Sequence, residues 1–298
     1  MLTPATAYWN QRYRLSELCP RFRQMGETIG ELTHLSYFQW AQLASMALEF
    51  KPDLILELGR GKGNSTCVFT ETANIIGSTK VVSLCLSAGF LEQTLPRLFQ
   101  GCHLPPGWLA PLECWVADIL SFDYEPLLNK HNRILVFWDA HGFEVASCVL
   151  GRILPILQHK EHIVMMHDMS DQRYLSRDSL DYGDQILWRG DDAEGARMVL
   201  GFINSAEPQA VSIVDFACRN RIDLLTADHS LHTELKPHPE KVAEMLHLLG
   251  DDFFSLNGHW LSFSLNDYHR PFFFPRFVLP EKPRMVAVDL LQYLNETL

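Results

Sequence analysis

Two aspartates and two histidines follow two predicted strands of this chain. Asp139 and His141 come after one apolar run, and His167 and Asp168 come after the next. A histidine in such a position can remove a proton from a hydroxyl group. Carboxylates can alternatively hold a divalent cation such as Mg²⁺, which acidifies and orients a bound hydroxyl. The residue types therefore predict a site that activates a hydroxyl, through a histidine base or through a metal.

A glycine-rich loop follows an earlier apolar run. Glycine stands at every second position, Gly59, Gly61 and Gly63, and Ser65 and Thr66 follow where they can cap a helix. Such glycines let the backbone turn sharply and approach a ligand closely. The lysine of the loop is misplaced for a phosphate-binding P-loop, and the third glycine comes one position early for a dinucleotide fingerprint. The loop is therefore a different ligand-binding turn or a purely structural strand–helix turn.

Five short apolar runs would position these residues. Each is nearly continuous in apolar residues, which is typical of strands buried on both faces of a parallel sheet. The runs are Leu54–Leu58, Val81–Leu86, Cys114–Ala117, Ile134–Trp138 and Ile163–Met166. The intervening helix-length segments are Ser65–Ile76, Leu91–Phe99 and Val145–Leu157. This alternation predicts βαβ units and a doubly wound α/β fold.

The remaining segments complete the expected organisation. Residues 8–48 are predicted to be helical, so we expect an N-terminal helical segment over 1–50, then a domain over 51–298 with a loop insertion at about 169–193. Further helices are expected at Ala193–Asn204, Ala210–Asn220, Pro239–Leu249 and Met285–Leu294, and a strand at Ile222–Ala227. The Asn257-Gly258 pair between Phe253–Leu256 and His259–Leu265 predicts a hairpin.

The glycine loop resembles the first motif of the class I S-adenosylmethionine-dependent methyltransferases, an acidic residue followed by three alternating glycines after a strand. The residues after the fourth and fifth strands resemble the subgroup of small-molecule and sugar O-methyltransferases and cephalosporin-hydroxylase-like proteins. The resemblance covers residues 35–168. It implies a three-layer α/β/α fold with a doubly wound, mostly parallel, seven-stranded Rossmann-like sheet and a C-terminal antiparallel hairpin.

The resemblance also implies a set of site residues and S-adenosylmethionine as the cofactor, with Mg²⁺ as a second cofactor in the alternative in which a metal activates the hydroxyl. The implied cofactor-binding residues are Glu57, Gly59, Gly61, Gly63, Ser65, Thr66, Cys85, Asp118 and Asp139. The implied catalytic residues are His141, His167 and Asp168, and the implied metal ligands are Asp139, Asp168 and His167. Cys85 departs from the family, which has at this position a carboxylate for the ribose hydroxyls, and Ser83 or Ser87 is the candidate to compensate. Asp118 matches the position that recognises the adenine amine.

Composition and charge bear on partners and location. The formal net charge of −11 disfavours binding to a phosphate backbone. Seven dispersed cysteines without a C-x-x-C pair fit a reducing cytosol, and no apolar run approaches the length of a transmembrane helix. We therefore expect a cytoplasmic protein with a small-molecule substrate and no nucleic acid or membrane partner. Phe272, Phe273 and Phe274 fit either a core segment or an exposed patch for homo-oligomerisation.

Three functions remain open at this point. The first is methyl transfer from S-adenosylmethionine to a hydroxyl of a sugar, polyol or phenolic metabolite. The second is a non-catalytic binding or scaffold protein on the same fold, which Cys85, Arg60 and Lys62 favour. The third keeps the fold and a metal site but performs hydroxylation or hydrolysis.

Overall fold

An eight-stranded mixed sheet forms the centre of the computed structural model, which describes residues 2–30, 35–167, 209–279 and 285–287. The strands are β1 (Leu54–Leu58), β2 (Lys80–Cys85), β3 (Leu112–Ala117), β4 (Arg133–Trp138), β5 (Glu161–His167), β6 (Leu225–Thr226), β7 (Trp260–Phe263) and β8 (Met285–Ala287). Their order across the sheet is β6-β7-β5-β4-β1-β2-β3-β8. Strands β1 to β5 pair in parallel, whereas β7 is antiparallel to β5 and β6, and β8 is antiparallel to β3.

Helices connect the strands and cover both faces of the sheet. The first five are α1 (Pro4–Asn10), α2 (Arg12–Ile29), α3 (Tyr37–Phe50), α4 (Asn64–Ile76) and α5, a π-helical turn over Phe90–Thr94 that continues over Leu95–Gly101. The next two are α6 (Tyr124–Asn129) and α7, which runs over Phe143–Cys148, a π-helical turn at Val149–Ile153, and Leu154–Leu157. The last three are α8 (209–220), α9 (Ala227–Ser230 and a π-helical turn at Leu231–Leu235) and α10 (Pro239–Phe253). The three-layer, mostly parallel α/β/α fold is therefore confirmed.

Alternate residues of each strand enter two separate apolar cores. Ile55, Phe137 and Met165 pack on one face with α1 to α5, α9 and α10. Leu56 and Val136 pack on the other face with α6, α7 and α8. Because side chains along a strand alternate in direction, this arrangement explains why the strands are apolar at nearly every position.

The N-terminal helices belong to the first of these cores. Trp40 of α3 is fully buried against the sheet layer. In α1, the hydroxyl of the buried Tyr8 donates to the carbonyl of Phe253, the last residue of α10. Thr3, which caps α1, donates through its hydroxyl to Glu234 Oε2 at 2.6 Å. Residues that begin the chain are thus held by residues more than 200 positions later.

The order in which the chain adds parallel strands to the sheet reverses between β1 and β4. Strands β2 and β3 follow on one side of β1, and β4 and β5 follow on the other. The carboxyl ends of these parallel strands lie at one edge, and a ligand crevice is expected outside the strand ends at the reversal point. Open α/β sheets bind their ligands at this place. The predicted glycine loop and the predicted acidic and histidine residues all follow strands that end at this edge.

The predicted hairpin at Asn257-Gly258 is wrong. Strand β7 instead pairs with β5 and β6, and α10 extends through Phe253 where a strand was expected. The backbone N–H groups of Gly258 and His259 donate to the carboxylate of Asp228 at 3.0 and 2.9 Å, which fixes a different turn. The antiparallel pair at this edge of the sheet is formed by β6 and β7, which are distant in sequence.

The C-terminal tail also differs from its prediction. A helix was expected over Met285–Leu294, but residues 285–287 form β8 along the edge of β3, so the sheet has eight strands instead of seven. The short helix α6 between β3 and β4 was not predicted. The predicted loop insertion at 169–193 and the predicted helix Ala193–Asn204 lie outside the described residues. Within the part of the chain that is described, no helix is both long and apolar enough to cross a membrane.

Candidate functional site

The glycine loop (59–63) joins the carboxyl end of β1 to α4 and packs against the end of β4. Gly59 and Gly61 have φ angles of +92° and +52°, which are left-handed conformations that favour glycine. A Cβ at Gly59 would lie 2.3 Å from the carbonyl oxygen of Asp139, so this position has no room for a side chain. A Cβ at Gly61 would meet no atom within 4 Å in the described structure. The backbone at Gly61 is therefore open to a ligand.

The carboxylate of Glu57 is fully buried at the end of β1. Ser65 Oγ donates to Oε1 at 2.5 Å, Thr66 Oγ1 donates to Oε2 at 2.7 Å, and Ser83 Oγ also donates to Oε2. Burial raises the pKa of Glu57, while these three hydroxyl donors and the charge of Arg60 oppose the rise. Glu57, Ser65 and Thr66, predicted as ligand contacts, thus contact one another and fix the start of α4 on the sheet.

Arg60 is a buried cation within the glycine loop, and the predicted site did not include it. Its Nη1 donates to the carbonyl oxygen and to the Oγ of Ser83, both at 3.0 Å. Its Nη2 donates to the carbonyl oxygens of Ser87 at 3.3 Å and Trp115 at 3.4 Å. The ring of Phe90 lies 5.8 Å from the guanidinium carbon, and only 3% of Arg60 is exposed. The guanidinium therefore joins the loop to the carboxyl ends of β2 and β3.

Phe90, the first residue of α5, closes this side of the crevice. A Cβ at Gly63 would lie 2.1 Å from the Phe90 ring, so the loop and the ring are in direct contact. Phe90 itself is fully buried. An aromatic ring and a guanidinium of the chain itself therefore pack together on the side of the loop where the nucleoside of the predicted cofactor is expected.

The two residues predicted to bind the nucleoside lie at the strand ends as expected. The backbone N–H of Ser87 donates to Cys85 Sγ at 3.4 Å, and Asp118 Oδ1 accepts from the backbone N–H of Leu120 at 2.9 Å. Asp118 is half-buried and closes a local turn with its side chain. Ser83, a candidate to compensate for Cys85, already forms hydrogen bonds with Glu57 and Arg60.

Asp139 and His167 contact each other at the ends of β4 and β5. His167 Nδ1 lies 3.1 Å from Asp139 Oδ1, and His167 Nε2 lies 3.1 Å from the Nε2 of Gln39 in α3. The orientation of the Gln39 amide is fixed, because its Oε1 accepts from the backbone N–H and the hydroxyl of Ser36, each at 3.0 Å. Its Nε2 also donates to the carbonyl oxygen of Gly258 at 3.1 Å.

These contacts define the tautomer of His167. An amide nitrogen can only donate, so the Nε2 of His167 accepts from Gln39 and its Nδ1 carries the proton that is donated to Asp139. His167 is 4% exposed, whereas the side chain of Asp139 keeps 24% of its surface exposed. Asp139 is thus the member of the group that faces the crevice, and His167 and Gln39 hold it in place. Gln39 was not predicted; the signal was a polar residue on the buried face of an apolar helix.

The other described residue of this predicted group, His141, contacts a different element. His141, two residues beyond Asp139, lies with its Nδ1 3.3 Å from Gln209 Nε2 in α8. Asp168 lies outside the described residues, so the predicted metal set of Asp139, Asp168 and His167 stays a prediction. Among the residues that are described, no group of three His, Cys, Asp or Glu side chains forms a cation site.

S-adenosylmethionine fits one half of this site better than the other. The exposed backbone at Gly61 suits the close approach of a ligand to the loop, as expected for the methionine end. At the nucleoside end, a thiol stands in place of a carboxylate and Arg60 already bonds to the strand ends. The chemistry of the nucleoside half therefore matches the cofactor less well than that of the methionine half.

Comparisons with known proteins give weak similarities to methyltransferases. No protein-family model matches the chain, and no curated protein matches it. The O-methyltransferase TomG from Streptomyces achromogenes, involved in tomaymycin synthesis and solved with S-adenosylmethionine, is 17% identical, with a TM-score of 0.40, over 70% of this chain and 81% of that chain. The methyltransferase PaMTH1 from Podospora anserina, solved with S-adenosylhomocysteine, is 14% identical, with a TM-score of 0.44, over 71% and 88%.

An O-methyltransferase from Bacillus cereus, solved with S-adenosylhomocysteine, is 12% identical over 70% of this chain and 82% of that chain, with a TM-score of 0.38. At such identities and TM-scores, the similarity carries no argument about cofactor or substrate.

Proposed function

We propose that this protein binds S-adenosylmethionine at the glycine loop and transfers its methyl group to a hydroxyl of a small metabolite, such as a sugar, polyol or phenol. The observation that carries this proposal is the meeting of two features at one crevice. The open backbone of Gly61 and the partly exposed carboxylate of Asp139 both follow the carboxyl ends of the paired strands β1 and β4. Gly59 packs directly on the backbone of Asp139, so the two features are adjacent.

The residues of the crevice supply positioning and proton transfer. When bound, the cofactor supplies an electrophilic methyl group on a sulfonium. Asp139 accepts a hydrogen bond from the acceptor hydroxyl and aligns its oxygen, because His167 and Gln39 fix the carboxylate from behind. The hydroxyl has a single proton, so either Asp139 or His141, which follows on the same strand end, takes it as the oxygen bonds to the methyl carbon and the sulfonium leaves as a thioether. Glu57 holds the loop and α4 in register without touching a ligand.

Calorimetric titration of S-adenosylmethionine and S-adenosylhomocysteine into the full chain, with and without Mg²⁺, tests this function. We expect saturable binding with 1:1 stoichiometry. Dependence of binding or turnover on Mg²⁺ would support the metal prediction. Absence of binding for both ligands under both conditions would refute the methyltransferase proposal. Screening hydroxylated metabolites for methyl acceptance then defines the substrate class.

A second candidate function is a non-catalytic binding or scaffold protein on this fold. The buried guanidinium of Arg60 at the ends of β2 and β3 favours it, because this group stands where a cofactor would bind. The titration separates the two functions, since a scaffold binds neither ligand. The cytoplasmic location, the small-molecule partner and the expected homo-oligomer stay predictions.

A further inference from the structure

The buried guanidinium of Arg60 has an unusual set of partners. Three of its four contacts are backbone carbonyl oxygens, from Ser83, Ser87 and Trp115, and the fourth is the Ser83 hydroxyl. In the described structure, no carboxylate forms an ion pair with it, and its Nε has no hydrogen-bond partner. A buried cation without a direct counter-ion is costly, so its placement needs a reason.

Glu57 offsets part of the cost of burying the Arg60 cation, through a hydroxyl to which both groups bond. Ser83 Oγ donates to Glu57 and accepts from Arg60 Nη1, so one hydroxyl bridges the two buried charges. The charge of Arg60 also lowers the pKa of Glu57 against the effect of burial. The cation is thus part of a self-contained network in the protein.

The location of this network is the nucleoside side of the crevice. The ends of β2 and β3, where Ser87 and Trp115 accept from Arg60, flank the strand-end positions of Cys85 and Asp118. Phe90 covers the guanidinium and touches the glycine loop. A ligand that extends from Gly61 across β2 towards β3 would have to pass Phe90 and the guanidinium that it covers.

We propose that Arg60 is an internal plug of the cofactor crevice, which occupies the nucleoside subsite and must be displaced before an adenosyl ligand binds. This inference rests on the proposed function. An anion-binding role fits the geometry less well, because both Nη atoms already donate to oxygens of the protein, in four contacts. Without a ligand, the plug keeps the nucleoside subsite closed. It lowers the affinity for an adenosyl ligand by the free energy needed to displace Arg60.

The test compares binding of S-adenosylhomocysteine by the wild-type chain and by Arg60→Ala, using calorimetry on the full protein. We expect the variant to bind at least about tenfold more tightly, because no plug has to be displaced. Arg97→Ala is the matched control: it removes an exposed arginine of α5, outside the glycine loop, whose Nε donates to the carbonyl oxygen of Gln93 in the same helix. This control should bind like the wild type. Circular dichroism and thermal unfolding establish that each variant is folded.

A second variant covers the case in which Arg60→Ala does not fold because Glu57 loses its nearby charge. Arg60→Lys keeps the charge but cannot make the four planar contacts, so it should also bind more tightly than the wild type. Equal or weaker binding by the folded variants would overturn the plug while leaving the methyltransferase proposal intact if the wild type binds. Failure of the wild type and all folded variants to bind would overturn both.

Discussion

At the scale of single residues, the sequence identified the side chains of the site better than it identified the role of each one. Asp139 and His167 were both expected at the crevice, and the structure joins them. Their roles depend on Gln39, which lies 128 positions before His167 and whose amide decides which ring nitrogen carries the proton. Spacing along the chain does not reveal such a contact, because it forms only when α3 packs on the sheet.

Replacing Asp139 by Asn should leave cofactor binding within a few-fold and reduce methyl transfer by about 100-fold or more, because the acceptor hydroxyl loses its carboxylate partner. Steady-state kinetics and calorimetry on the same preparation check this. Replacing Gln39 by Leu should reduce turnover by about tenfold by releasing His167, again without loss of cofactor affinity. Full activity in the Asp139 variant would contradict the role given to that carboxylate.

A second prediction at this scale concerns Glu57 and pH. The pKa of Glu57 is raised in the folded state, above its ordinary value of 4.5. Folding therefore favours the protonated carboxyl, whose contribution to the free energy of unfolding is fully present below pH 4.5 and is lost as the pH rises through the folded-state pKa. Relative to Glu57→Gln, the wild type should lose stability as the pH rises above 4.5.

Urea unfolding across this pH range measures the difference between wild type and variant. Glu125→Gln, at an exposed position of α6, is the matched control and should follow the wild-type profile. Parallel pH profiles for the wild type and Glu57→Gln would show that burial does not shift the titration of this carboxyl.

At the scale of elements, the apolar runs located the five parallel strands well, because strands buried on both faces leave a continuous apolar signature. The edge strands were harder. The Asn257-Gly258 pair was interpreted as a hairpin, but Asp228 binds that turn from α9. Gly258 is instead required by close packing, since a Cβ there would lie 2.4 Å from the Cβ of Ala227. The two-residue β6 and the three-residue β8 are set by pairing with distant strands, which local patterns do not encode.

The glycine loop allows a prediction that separates packing from ligand binding. Gly59→Ala would place a Cβ 2.3 Å from the Asp139 carbonyl, and should lower the free energy of unfolding by about 2 kcal/mol or more. Gly61→Ala has open space and should cost only about 1 kcal/mol of backbone strain, but should weaken cofactor binding.

Thermal unfolding and calorimetry on both variants measure these effects. Each variant serves as the control of the other, because both carry the same substitution two residues apart. Normal stability of Gly59→Ala would contradict the observed contact with β4.

At the scale of the whole molecule, the sequence predicted a helical segment over 1–50 and a separate domain from residue 51. Helices α1 to α3 are present, and their buried side chains share one apolar core with the sheet. Sequence composition gave no sign of this sharing, because a helix with an apolar face looks the same whether it covers its own domain or a neighbouring one. Whether residue 50 is a domain boundary is therefore a question for experiment.

A fragment of residues 51–298 should not unfold cooperatively. It would lack Trp40 and the rest of α3, exposing one face of β1, β4 and β5. Urea unfolding followed by circular dichroism, with the full chain as reference, measures the loss. A sharp transition in the fragment would establish the division at residue 50 as a true domain boundary.

The contacts of α1 also have a consequence for how the chain is made. Tyr8 bonds to Phe253 and Thr3 bonds to Glu234, so the first helix emerges from the ribosome long before its partners are synthesised. Its apolar face stays unpaired in the growing chain, because contacts of such high sequence separation form late and slowly. Newly made copies of this protein should consequently be chaperone clients until the last quarter of the chain has been translated.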